Sequence, residues 1–390
     1  MKKIFLVILW MVANVSVWAQ QRITLDAAIA KAMSDYPSIR ASRLNARSAD
    51  ALRKSASILG NMELSGGGEE IGHGNDAVYT LARLRQDIDP FGAHGMRRRL
   101  QAQAGVAQAE TGVIERELIR QVCADYINDH AALLRYENMS RMDSLYADFS
   151  RVARLRYEAK AISLLEYQTA LHRSQQVKLS LQEAKKDLQM AHLNLSRWLS
   201  TDTIYQAAGV DDTLDVSAIL SQELHPKALL GRQLVNLSQA VAKEASAQRL
   251  PKFFLEAGVQ KLGSQNGYYA WQVGVSIPIA FGATKATVKS ARLSSQRARA
   301  DAEEVSRQLV SKRNSLRMEY DKYLQSVDYY RRDALPLAKE QKRIALLSYQ
   351  AGSIGYLDFI QAVNGALTTE MNYVEAYTKL LEAKYNLIYY

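Results

Sequence analysis

Between Pro251 and Gly282 apolar and polar residues alternate every second position, whereas almost everywhere else they recur every three or four. Phe253, Leu255, Ala257 and Val259 alternate with Phe254, Glu256, Gly258 and Gln260. After the turn Leu262-Gly-Ser-Gln-Asn-Gly267, the residues Tyr269, Trp271, Val273, Val275 and Ile277 alternate with Ala270, Gln272, Gly274 and Ser276. Two period-two runs joined by a Gly/Asn turn predict a β-hairpin. Its apolar face holds Phe253, Leu255, Val259, Tyr269, Trp271, Val273, Val275 and Ile277, and its polar face holds Glu256, Gln260, Gln272 and Ser276. Strands of about 9–11 residues with one apolar, aromatic-bearing face suit a membrane barrel, with lipid outside and a polar lumen within. A soluble sheet with one buried face carries the same pattern, so the hairpin alone leaves both readings open.

The remainder reads as amphipathic helix. Ile23 to Ser57 is helical, with Thr24 as a cap and an interruption at Asp35-Tyr36-Pro37. A second hairpin is expected at about 61–89, around the turn GGGEEIGHGND, and Pro90-Phe91-Gly92 closes it. A helix then runs from about Ala93 to about Glu158, roughly 95 Å if continuous. It breaks at Ala159 to Ser163 and resumes to about Trp198. Ser200 to Gln222 is an acidic, turn-rich connector. The order then returns: His225-Pro226 opens a helix, the hairpin at about 252–279 comes after it, and Phe281-Gly282 echoes Phe91-Gly92. A helix from Thr284 towards Gln350, kinked at Pro336, leads to Ser348–Ala362, which echoes Arg156–Ala170. Landmarks about 190 residues apart make this an internal two-fold repeat. The expected organisation is a signal (1–19), repeat 1 (20–199), a connector (200–224) and repeat 2 (225–390).

The first nineteen residues form a secretory signal, with Lys2 and Lys3, an apolar core and Val17-Trp-Ala19 before cleavage. No later run is long and apolar enough for a membrane helix. The net charge of +10 falls to +8 once Lys2 and Lys3 are removed. Basic and acidic residues are interspersed, which argues against nucleic acid as a partner. Cys123 has no second cysteine to pair with and lies in a helical pattern, as a small core residue would. The Gly-rich turn lacks the Lys-Ser/Thr of a phosphate loop. His73, His94, His130, His172, His192 and His225 have no metal-ligand spacing. No nucleophile–base pairing or nucleotide motif is present, so the chain reads as neither enzyme nor metal or cofactor protein.

Two hairpins supply four strands, too few to close a barrel. Three copies would supply twelve. Long helices entering and leaving such a barrel at one end would extend it as a tube, with the breaks at 159–163 and 351–355 at the far tips. One strand complicates this picture. Placed in the register of Tyr269 and Trp271, the strand 77–89 would turn Arg83 and Arg85 towards lipid, at roughly 2–4 kcal/mol each near the midplane. A one-residue slip, taken up by a bulge near Asp89-Pro90, puts Val78, Ala82, Leu84 and Ile88 outside and both arginines in the lumen.

The signal, the repeat, the two hairpins ending in Phe-Gly, and Tyr349-Gln-Ala-Gly352-Ser-Ile354-Gly-Tyr-Leu357-Asp358 together resemble the TolC-type outer membrane efflux proteins. The first copy of the last motif departs from the family in having Lys160 where Gly is common. The resemblance covers the mature chain. It implies a mainly α protein of the Gram-negative outer membrane with a membrane β-barrel portion, assembled as a homotrimer with a twelve-stranded barrel in lipid and a periplasmic helical tunnel. It further implies a periplasmic adaptor (membrane fusion protein) and an inner-membrane pump of the resistance-nodulation-division type. The adaptor-docking and gate tips are then Glu158, Ala159, Lys160, Ile162 and Ser163 with Gln350, Ala351, Gly352, Ser353, Ile354 and Gly355. Glu166 and Asp358, equivalent in the repeat, are either tunnel-mouth carboxylates or supports of the tip turns. A protein-secretion conduit has the same sequence features. A soluble periplasmic coiled-coil scaffold or adaptor is the reading from another class.

Overall fold

The computed structural model describes residues 21–69, 78–200, 203–210, 225–278 and 281–390. The expected signal, His73 with its turn, and most of the connector lie outside the described residues. In chain order the elements are β1 (Gln21–Ile23), α1 (Leu25–Asp35), α2 (Pro37–Leu52), β2 (Leu59–Glu69), β3 (Val78–Ile88), α3 (Pro90–Glu158), α4 (Leu164–Ser196), β4 (Tyr205–Ala207), α5 (Pro226–Ala247), β5 (Lys252–Leu262), β6 (Gln265–Ser276), α6 (Phe281–Tyr329), α7 (Leu335–Gln350) and α8 (Tyr356–Ile388). The architecture is the expected one: mainly helical, with two hairpins and an internal two-fold repeat. The chain forms two compact units that cut across the repeats. One comprises Ser38–Ile114 and Leu224–Val310, the other Met1–Pro37, Glu115–Glu223 and Ser311–Tyr390.

The first unit holds the sheet. β2, β3, β5 and β6 lie in that order, every neighbour antiparallel. Pro90-Phe-Gly92, which ends the first hairpin, is a helix start. Asp89 caps α3 by accepting the Gly92 amide (2.7 Å), and Pro90 takes the first position, where a missing N–H costs nothing. Gly92 leaves room for that carboxylate, because a Cβ there would meet its oxygens. Lys252 pairs with the same Asp89 at 3.2 Å, so one carboxylate joins the end of one hairpin to the start of the other. Where α5 packs on α6, Gly231 sits against Ala302.

The second unit holds the buried core. Thr24 caps α1, as its sequence predicts, accepting the Ala27 amide. A parallel pair, β1 with β4, was not expected, since two three-residue strands have no periodicity to read. Polar groups fasten it. Asp129, fully buried, accepts the Ala207 amide at 2.8 Å and faces His192 Nδ1 at 2.5 Å. The Tyr126 hydroxyl shares its one proton between the carbonyls of Gly209 (2.8 Å) and Ile23 (3.0 Å) and accepts the Ala208 amide. Trp198 Nε1 donates to Asp125 at 2.6 Å. Cys123 packs with Ile127, Leu381, Tyr385 and Ile388, and burial pushes its thiol up to about 12, so it is inert at neutral pH. Pro336 is preceded by a π-helical turn, Tyr330–Ala334, in which the Leu335 amide reaches back to Tyr330. The expected kink thus takes the form of a widened turn, which relieves the clash of a proline ring with the preceding carbonyls.

Candidate functional site: a two-faced sheet and a pair of twin turns

In the sheet, cross-strand partners share a face. Val259 pairs with Tyr269, Ala257 with Trp271, Leu255 with Val273 and Phe253 with Val275, which gathers the predicted apolar residues on one side. Ile277 stands just beyond β6. All are exposed, Tyr269 at 82% and Trp271 at 79%. Glu256 pairs with Gln272, and Gln260 with Tyr268, on the other side. There Phe254 lies flat across Gly274, where a Cβ would meet the ring at 2.1 Å, so this strand position requires glycine.

β3 adds its arginines to the polar side. Arg83 faces Gly258 and Arg85 faces Glu256, whereas Ala82 faces Val259, Leu84 faces Ala257 and Ile88 faces Phe253 on the apolar side. Arg83 pairs with Glu256 at 3.2 Å, and Arg85 lies over the Phe254 ring at 4.2 Å. Across the four strands one polar row therefore reads Glu63, Arg85, Glu256, Gln272. Two irregularities flank this register: one at Leu81, between Thr80 and Ala82, where β3 meets β5, and one beside the expected place near Asp89-Pro90, between Leu59 and Met62 of β2, opposite Ile88 and Gln86. Because Leu81 is the extra residue, Val78 leaves the apolar row and pairs with Leu262. The outer edges of β2 and β6 pair with no described strand.

The second unit carries two turns with one hydrogen-bond scheme. At the end of α3, Lys160 donates to the Tyr157 carbonyl (2.9 Å) and Ala161 to Arg156 (2.8 Å). At the end of α7, Gly352 donates to Tyr349 (3.1 Å) and Ser353 to Ser348 (2.8 Å). Both are Schellman closures, which need a left-handed residue, and the φ values are 59° for Lys160 and 71° for Gly352. The side chains are twinned as well. Tyr157 stacks on Tyr167 (5.5 Å) and Tyr349 on Phe359 (4.7 Å), while Ile162 and Ile354 both pack on a shared core around Tyr146, Phe149, Tyr356 and Phe359. Leu165 and Leu357, also equivalent, are exposed. The other predicted tip residues lie in these turns or at their flanks: Glu158, Ala159 and Ser163 in the first, Gln350, Ala351 and Gly355 in the second. Ser163 caps α4 by accepting the Glu166 amide (3.2 Å), which puts Glu166 in the first turn of α4, and Asp358 occupies the same place in α8. Arg156 lies over the Tyr349 ring at 4.6 Å.

Residues 224–389 match the family model of the outer membrane efflux proteins. The match lies in the second half of this chain. No curated protein matches the sequence. The outer membrane efflux fold extends over the whole chain. A membrane protein from Pseudomonas aeruginosa superposes with a TM-score of 0.80 at 17% identity, covering 95% of this chain and 91% of its own. The outer membrane protein VceC from Vibrio cholerae gives 0.77 at 16% identity, with 93% and 95% covered. The MtrE outer membrane channel of Neisseria gonorrhoeae gives 0.75 at 17%, with 94% and 88% covered. At these identities the likeness is one of fold. No helix among the described residues is long and apolar enough to cross a membrane.

The sequence pointed to neither the Asp129–His192 pair nor the Tyr126 fastening. One signal was available: Asp129 lies in the apolar stripe of Val122, Tyr126 and Ile127, and an acid in such a stripe calls for a buried partner.

Proposed function

We propose that this chain is the outer-membrane channel subunit of a tripartite efflux system. Three copies close a twelve-stranded barrel, edge β2 of one against edge β6 of the next. Solutes delivered by a periplasmic adaptor and an inner-membrane pump, of the resistance-nodulation-division type that the resemblance implies, pass through it without work by this protein. The observation that carries the reading is the four-stranded sheet with an exposed aromatic and aliphatic face, a charged opposite face and two open edges. In water such a sheet would aggregate, and in lipid an unpaired edge costs several kcal/mol per orphaned group. Closure by identical neighbours resolves both.

The twin turns supply the second part. They present Lys160 and Gly352 at their apices and Leu165 and Leu357 beside them, a repeated surface fit for the hairpin tips of an adaptor. Glu166 and Asp358, three copies each, would ring the mouth of the conduit.

Extraction of cell envelopes tests the core of the proposal. The protein should remain in the outer-membrane fraction through carbonate and run as a trimer that heating dissociates. Release by carbonate overturns the channel and favours a periplasmic scaffold.

A further inference from the structure

In the core beneath the twin turns, one buried polar atom has no hydrogen-bond partner among the described residues: the hydroxyl of Tyr356. Tyr356 is the first residue of α8 and is 4% exposed, in a cluster that includes Tyr146, Ala170 and Val177 of the first repeat and Phe359 and Val363 of the second. Burial, then the neighbouring Tyr146 and Tyr349, hold its proton in place well above the usual tyrosine range, so it is a donor with no acceptor. The polar groups around it are otherwise engaged. Tyr146 donates to Asn364 Oδ1. Arg173, the cation that acts on both the Tyr146 and Tyr356 hydroxyls, donates to Gln176.

A hydroxyl shut away from water with nothing to bond carries a free-energy cost that a phenylalanine in the same place does not. The cost belongs to one arrangement of the turn. Gly355 and Leu357, on either side of Tyr356, are exposed, so unwinding the first turn of α8 returns the hydroxyl to water. That turn also lacks the side-chain cap that Ser163 gives α4. The first repeat has no such tension, because Leu164, equivalent to Tyr356, is apolar and 49% exposed. Two contacts oppose release. Tyr146 to Asn364 ties α3 to α8, and Arg156 over the Tyr349 ring ties α3 to α7.

We infer that Tyr356 is a release element of the second turn: its unpartnered hydroxyl lowers the cost of opening the start of α8, and the Tyr146 hydroxyl, in the same core, raises it. The inference rests on the reading of the twin turns as docking tips and adds a means of control to it. A partner can shift the turn only by as much as it prefers the open form. With the hydroxyl confined, a smaller preference suffices, and a partner seated on Leu357 engages the residue next to it.

The test uses two substitutions that each delete one phenolic oxygen and should act in opposite directions. Its readout is hydrogen exchange of the Phe359 amide, which donates to the Gly355 carbonyl at 3.1 Å and so reports opening of the first turn of α8. In the purified full-length protein Tyr356→Phe should slow this exchange about fivefold or more, as relief of a buried unpaired hydroxyl requires. Tyr146→Phe, which removes the bond to Asn364, should speed it by a few-fold. A Tyr356→Phe protein that exchanges at the wild-type rate or faster, or that fails to assemble, overturns the inference and leaves the docking reading intact. Slower exchange in Tyr146→Phe overturns the opposing role of that residue. Export by cells carrying Tyr356→Phe then separates the two readings. It should fall, because the turn resists opening. Unaltered export together with slowed exchange removes the docking reading, and the control role with it.

Discussion

The turn at Lys160 and the turn at Gly352 are built to one plan, yet each is well made where the other is poor. The second has glycine at its left-handed position but enters α8 through Gly355, which has no side chain with which to cap the helix. The first has a serine cap on α4 but forces a lysine to φ 59°. A lysine there costs about 1 kcal/mol relative to glycine, and a Ser cap gains a few tenths over Gly. Duplicated turns need not keep the same good residues, provided that the core beneath them is shared and holds both.

That comparison can be broken most forcefully at the shared core. Phe359 is fully buried and touches Phe149 and Tyr349. Phe359→Ala should cost about 3–5 kcal/mol and speed amide exchange at 159–161 as well as at 351–353. Acceleration confined to the second turn would show two separate cores. Next in size, Gly352→Val places a β-branched residue at φ 71° and should cost upwards of about 1–2 kcal/mol locally. Export should fall while heat-dissociable trimers persist, and normal export would count against a docking role for the turns. Ser163→Ala should cost about 1 kcal/mol and fray the first turn of α4. Gly355→Ala, at an ordinary φ of −72°, should change little in α8. In the opposite direction, Lys160→Gly should stabilise the first turn by about 0.5 kcal/mol, the left-handed strain relieved less the extra freedom of glycine in the unfolded chain. Slower exchange at the Ala161 amide would report it, and faster exchange would show that Lys160 makes a compensating contact.

Much of this architecture was legible in the sequence because it is written locally or twice. The change of period at Pro251 marks the sheet, Thr24 and Pro226 mark helix starts, and the motif shared by Arg156–Ala170 and Ser348–Ala362 marks the turns. Even the register of β3 came from the cost of turning Arg83 and Arg85 to the apolar side. The bulge at Leu81 did not, since nothing in Leu81 itself distinguishes an extra residue from a paired one. The β1–β4 pair and its polar fastening escaped because Asp129 and His192 are 63 positions apart and each strand is too short to show a pattern. The concentration of positive charge in the unit that holds the sheet, 22 Lys and Arg against 13 Asp and Glu, was hidden for a different reason. That unit is assembled from two separate stretches of chain, so its surplus of nine shows only when the two are summed.

The π-helical turn at Tyr330–Ala334 also bears on the spacing of the two repeats. Phe91 and Phe281 are 190 positions apart, but Lys160 and Gly352 are 192 apart, so the second repeat is two residues longer between its strands and its turn. A widened turn absorbs one added residue without rotating the helix beyond it. The same addition inside an unbroken α-helix would swing every later residue by about 100°. Tyr330–Ala334 therefore accounts for one of the two additional residues and lets the downstream helix keep its face. Deleting one residue there should be borne far better than deleting one anywhere else along α6.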